Sequence, residues 1–145
     1  MDASVAAKWL FPEAGSREAR LLLDSKFELF APDFILVEVA NILWKKTQRN
    51  EISSPDLHLE ELDRLPDLFT ILPSSALMNR TIILAVEIGH PVYDCLYLAC
   101  AETENASLIT ADKALVRRAS EGCPHVAVWD VGNQEIGQFL IDHTR

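Results

Sequence analysis

From Pro91 to Asp112 the chain reads PVYDCLYLACAETENASLITAD, a mostly apolar helix opened by Asp94, then a short strand, SLIT, stopped by a second acid, Asp112. A helix this apolar must be covered over most of its surface, and a helix leading into a strand is how parallel sheets are assembled. The stretch therefore calls for an α/β core with one carboxylate where a helix begins and another where a strand ends.

The rest of the chain repeats the alternation. Asp2 stands before a segment that is helical to Leu10 and ended by Pro12 and Gly15, and Ser16 is placed to cap SREARLLLDS. FELFAP reads as a strand closed by Pro32. In DFILVEVANILWKKTQRN, Asp33 stands at the N-cap and Lys45, Lys46 and Arg49 complement the dipole at the other end. Ser54-Pro55-Asp56 starts an acidic amphipathic helix, LHLEELDRL. LFTIL reads as a strand, and SALMNRTIILAVEIG as a helix ended by Gly89. After Asp112 come a short helix, DKALVRRAS, a strand, HVAVWDV, and a last helix, NQEIGQFLID. Helices alternating with short strands predict an α/β/α three-layer sandwich with a mainly parallel sheet, and residues 1–145 read as one domain without repeat or linker.

Charge narrows the functional classes. Thirteen basic residues against 22 acidic ones leave a net charge of −9, which argues against a broad phosphate-binding surface, since nonspecific nucleic-acid affinity comes from Lys and Arg. It leaves room for bound cations to supply positive charge locally. No apolar run reaches the roughly 20 residues that span a bilayer, and the N-terminus lacks the basic start of a secretory signal. Cys95, Cys100 and Cys123 are odd in number and have no CxxC spacing, so they read as buried thiols of a cytoplasmic protein. Trp9, Trp44 and Trp129 read as core.

Four acids stand out. Asp2, Asp94 and Asp112 each precede a helix, and N-capping explains any one of them alone. Glu38 lies inside an apolar helix where no cap reaches it; it needs a cationic partner or a site. Asn41 and Lys45 continue its face. In a parallel α/β sheet ligands bind at the carboxyl ends of strands, where Asp112 falls, and the other three acids can be aimed at the same edge. Converging carboxylates repel unless cations hold them, and an all-oxygen donor set suits Mg²⁺ or Mn²⁺ rather than zinc. His90, beside Pro91, reads as a surface or capping residue. Such a constellation suits hydrolysis of a phosphodiester, with cations activating water and stabilising charge on the attacking and leaving oxygens. No Ser–His pair, phosphate loop or dinucleotide fingerprint suggests another route.

Four segments carry a resemblance: DASVAAKWL, LVEVANILWK, PVYDCLYLACAE and LITADKAL. In that order they look like the four acidic motifs of PIN-domain ribonucleases, in particular the VapC-type toxins of toxin–antitoxin pairs. The resemblance implies a Mg²⁺- or Mn²⁺-dependent endoribonuclease that acts on RNA, forms a homodimer and is inhibited by a cognate antitoxin. It assigns metal binding to Asp2, Glu38, Asp94 and Asp112. Ser4 and Thr110 match supporting hydroxyls, and Asn41 matches a polar position beside the glutamate. In that family the first acid follows a buried strand, whereas only Met1 precedes Asp2, so the first strand reads as truncated. Two other classes are weighed against this one. A non-catalytic interaction module with the same fold would bind a partner without cleaving RNA. A phospho-acceptor domain would need an adjacent acid pair and a late lysine, neither of which is evident. Lys45, Lys46 and Arg49 form the best basic patch, and the apolar residues of the second and third helices are candidates for a dimer or antitoxin groove.

Overall fold

The computed structural model describes residues 1–143. Helix α1 (Ala3–Leu10) starts from Asp2, whose carboxylate accepts from the Val5 amide. Helix α2 (Ser16–Leu23) does not use Ser16 as its cap. Gly15, at φ 84°, makes the left-handed turn into the helix, and the Ser16 hydroxyl instead accepts from the Glu13 amide and donates to the Phe11 carbonyl. Strand β1 (Phe30–Pro32) leads to α3 (Phe34–Gln48). Ser54 accepts from the Asp56 amide, but the turn it caps is a 3-10 turn, Pro55–His58, and the acidic helix expected there shrinks to α4 (Leu59–Arg64). Strand β2 (Thr70–Leu72) and α5 (Ser74–Ile88) follow. The expected cap at Asp33 is also reassigned: its carboxylate accepts from the Ser74 amide at 3.0 Å and from the Ser74 hydroxyl, tying the start of α5 to that of α3.

Gly89, at φ 61°, ends α5 in the left-handed conformation, and the chain turns 114° into α6 (Val92–Thr103). Cys95 through Ala101 are all buried, as an all-round apolar helix must be, and Cys95, Cys100 and Cys123 are buried free thiols. Strand β3 (Leu108–Thr110), α7 (Lys113–Gly122), β4 (Val128–Asp130) and α8 (Gln134–Asp142) complete the described chain. The expected layering is present. α1 packs on α2 and α3, and α2 on α8; α5 packs on α6 and α7. The strands touch both groups, with β1 against α3 and α6, and β3 against α1, α6 and α7. Among the described residues no single helix is long and apolar enough to cross a membrane. The tryptophans divide: Trp9 is partly buried and its ring N–H donates to the Ala19 carbonyl, but Trp44 is 58% and Trp129 37% exposed, so the core expectation fails at both.

All strand pairing is parallel, yet the sheet is in two halves, β1 with β2 and β3 with β4. Leu29 and Asp33 bond toward β2, and Leu108 and Thr110 toward the β4 side, so the intervening Phe30 and Ile109 turn their peptide groups toward the gap between the halves. Among the described residues, Met1 and Asp2 bond into it from the main chain. The Met1 amino group donates to the Phe30 carbonyl at 3.1 Å and the Asp2 amide to the Ile109 carbonyl at 3.2 Å, one bond to each side. Two residues cannot pair along both edges. A cavity of about 490 Å³ beside them is lined by Met1, Phe30, Cys100, Ile109, Trp129 and Phe139.

Candidate active site

Asp2 is buried at the junction of α1 and β3. Its Oδ1 accepts from the Val5 amide at 3.2 Å and the Ser4 hydroxyl at 2.6 Å, and its Oδ2 accepts from the Thr110 hydroxyl. Both hydroxyls are themselves held: Ser4 Oγ accepts from the Ala111 amide and Thr110 Oγ from the Asp112 amide, each at 2.9 Å. Ser4 and Thr110 therefore stitch the start of α1 to the carboxyl end of β3 through Asp2. Burial holds the Asp2 carboxyl above the usual carboxylate range, although these hydroxyls, the Met1 amino group and the Val5 amide all pull it down.

Glu38 lies one turn into α3 and is half-buried. Of the two readings open to it, a cationic partner and a place in a site, the first is not met by a Lys or Arg among the described residues; the Tyr97 hydroxyl donates to Oε2 from the middle of α6. Burial raises the Glu38 carboxyl, and the charges of Asp94 and Asp2 add to that, against Tyr97 and Lys45. Asp94 occupies the third position of α6. It is not a cap, because the helix starts from Pro91, and its carboxyl is raised by burial and by Asp112 and Asp2 while His90 lowers it. Asp112 divides its two oxygens. Oδ1 caps α7 by accepting from the Ala114 and Leu115 amides at 2.7 and 3.1 Å, whereas Oδ2 faces His90.

His90 is the residue the sequence reading placed wrongly. Its side chain is only 8% exposed, with Nε2 3.0 Å from Asp94 Oδ2 and 3.6 Å from Asp112 Oδ2. The short approach to Asp94 lacks hydrogen-bond geometry, so the buried Nε2 faces the two carboxylates without a well-formed hydrogen bond. Gly89 and Pro91 flank it, the His90 amide donates to the Ala85 carbonyl, and its own carbonyl accepts from the Cys95 thiol.

The structure groups Asp94 and Asp112 with His90 and brings Asp2 and Glu38 within electrostatic reach of Asp94, from the start of α1, α3 and α6 and the end of β3. Among the described residues no Lys or Arg pairs with any of the four. The basic patch is occupied elsewhere, with Lys46 against Glu13 and Glu51, and Arg49 against Glu51. Asn41 is exposed on α3 and makes no side-chain hydrogen bond to the cluster. Three raised carboxyls without a basic side chain paired to them, and an orphaned buried imidazole nitrogen beside two of the acids, fit a divalent cation with oxygen-rich coordination.

The chain is similar to known proteins in sequence and fold. Residues 1–121 match the family model of the PIN domain. The chain is 31% identical over 120 residues to Ribonuclease VapC3 of Pyrobaculum aerophilum, an overlap of 81% of this chain and 92% of the relative. It also shares its fold with the crystal structure of PAE2754 from Pyrobaculum aerophilum. There the TM-score is 0.68 at 22% identity, covering 97% of this chain and 87% of the other.

Proposed function

We propose, from the premise that this chain belongs to the PIN-domain family, that it is a Mg²⁺- or Mn²⁺-dependent endoribonuclease and the toxin of a toxin–antitoxin pair. The observation that carries the reading is Asp94 and Asp112 grouped beside His90, with Asp2 and Glu38 in electrostatic reach of Asp94 and no Lys or Arg among the described residues paired to any of the four. The similarity to a protein named a ribonuclease supports it. Asp2, Glu38, Asp94 and Asp112 hold the cation, which when bound supplies charge stabilisation and an activated water for phosphodiester hydrolysis. Ser4 and Thr110 fix the Asp2 carboxylate from both sides, and Tyr97 fixes Glu38 from α6. Asn41, exposed one turn beyond Glu38, is free to meet the RNA. The net charge of −9 leaves the cation as the main local attraction for phosphate.

The test is incubation of the purified chain with a panel of structured RNAs and matching DNAs. RNA cleavage in Mg²⁺ or Mn²⁺, abolished by a chelator, is the expected result. Cleavage indifferent to chelator, or partner binding with no cleavage in either cation, would refute the reading.

The partners proposed are the RNA substrate, a cognate antitoxin and a second copy of the chain, in the cytoplasm. The second and third helices, the candidates in the sequence, expose Leu23, Val37 and Trp44, and we add a further candidate homodimer surface on α5. There Met78, Ile82 and Val86 recur at helical spacing and are 43%, 49% and 76% exposed. Val86→Glu is expected to convert a dimer into a monomer by light scattering and to abolish the concentration dependence of the melting temperature. A wild-type chain that scatters as a monomer at every concentration removes the dimer from the proposal.

A further inference from the structure

We propose that His90 is a metal ligand: its Nε2 joins Asp94 and Asp112 in coordinating the cation, and this nitrogen biases the site toward Mn²⁺ over Mg²⁺. The inference rests on the proposed metal-dependent function. It is carried by a separate observation, the buried imidazole nitrogen without a hydrogen-bond partner, aimed between two carboxylates.

Geometry places the donor. Oδ2 of Asp94, Oδ2 of Asp112 and Nε2 of His90 form a group whose ligand atoms all lie within 4.8 Å of one another, a span that one ion can bridge. The oxygens of Asp112 are already specialised: Oδ1 is committed to the α7 amides, and Oδ2 is left for the site. The backbone fixes the imidazole. The left-handed turn at Gly89 points the chain back from α5, Pro91 restricts the backbone of the residue before it, His90, and both backbone polar groups of His90 are bonded. With its side chain 8% exposed, the ring has little solvent to turn toward.

Chemistry gives the bias. Mg²⁺ prefers oxygen donors and octahedral hydration, and it gains little from an imidazole. First-row transition-metal ions accept a mixed nitrogen and carboxylate set, so one histidine raises Mn²⁺ affinity more than Mg²⁺ affinity. A histidine that only balanced the charge of Asp94 and Asp112 would be displaced when a cation bound, and would favour neither metal.

The test loads the whole protein with Mn²⁺ and records electron spin-echo modulation. Wild type is expected to show imidazole-nitrogen coupling. His90→Gln is expected to lose it, while His125→Gln, on the separate Glu102–Cys123–His125 cluster, keeps it. Calorimetry should give a loss of Mn²⁺ affinity on the order of tenfold or more in His90→Gln, with Mg²⁺ affinity nearly unchanged. If His90→Gln fails to fold, a triple variant carrying His58→Gln, His125→Gln and His143→Gln leaves His90 as the one histidine of the four, and the coupling must persist in it. Mn²⁺ binding and RNA cleavage without nitrogen coupling would overturn the role of His90 and leave the nuclease reading standing. Absence of binding by either cation would overturn both.

Discussion

A chain extended by roughly four apolar, β-branched residues ahead of Met1 is expected to melt on the order of 10 °C higher and to cleave RNA faster. The reason lies in the gap between the two half-sheets. The peptide groups of Phe30 and Ile109 face it from opposite sides, and Met1 and Asp2 already make the first bond to each. An added strand running parallel to both neighbours would continue the two ladders and fill the cavity of about 490 Å³ lined by Phe30, Ile109 and Cys100. Burying three or four large apolar side chains gains about 1.5–3 kcal/mol each, while ordering the added residues costs about 1–2 kcal/mol each. A net gain on the order of 3 kcal/mol corresponds to roughly the stated rise for a chain of this size. The extension also removes a cationic amino group from beside Asp2, where burial lowers its pKa and its charge competes with a cation for the carboxylate. Thermal melting of the two chains decides the matter: equal melting temperatures and equal metal-dependent cleavage would show that the gap is not a strand site.

Asp94→Asn is expected to raise the melting temperature of the metal-free protein by about 3 °C or more at pH 8, with the difference shrinking as pH falls. The sign follows from the direction of the shift. Burial and the charges of Asp112 and Asp2 raise the Asp94 carboxyl above its unfolded value. The folded state then holds the proton more tightly than the unfolded one. The stabilisation from that proton is complete below the unfolded carboxylate pKa and is lost as pH rises through the raised folded value. Asn has no such proton to lose. Asp2 and Glu38 are raised as well, and the Met1 amino group, lowered by burial, acts in the opposite direction, so total stability need not follow Asp94. The difference between wild type and variant reports Asp94 together with the effect of its charge on Glu38, both of the same sign. Adding Mg²⁺ or Mn²⁺ should reverse it, because only wild type gains the full cation site. A variant that melts lower than wild type without metal at pH 8 would mean that Asp94 is satisfied by His90 alone.

Much of the fold was legible because its punctuation is local. Pro32, Pro73 and Gly89 mark boundaries that need no tertiary information, and the apolar character of 92–103 required a buried helix. The caps were less legible where a distant group competed. Asp33 turned to Ser74, forty-one residues away in sequence, and Ser16 gave way to the left-handed Gly15. At the site, capping and convergence looked like rivals for Asp2 and Asp112. They are compatible, because a carboxylate has two oxygens and at Asp112 each serves one purpose. Tyr97 had a signal that went unused: it is three residues from Asp94 on the same helix, which puts both on one face. His90 had only its spacing of four from Asp94. Its burial depends on how α5 and α6 fold against α7, and no local pattern carries that.

The central claim, that four converging carboxylates form a metal-dependent nuclease site, is tested most directly by one RNA and two proteins. Wild type and folded Asp94→Asn are incubated with the same cleavable RNA in Mn²⁺, and initial rates are compared. The predicted result is cation-dependent cleavage by wild type and a loss on the order of a hundredfold or more in the variant. Undiminished cleavage by Asp94→Asn would contradict the account.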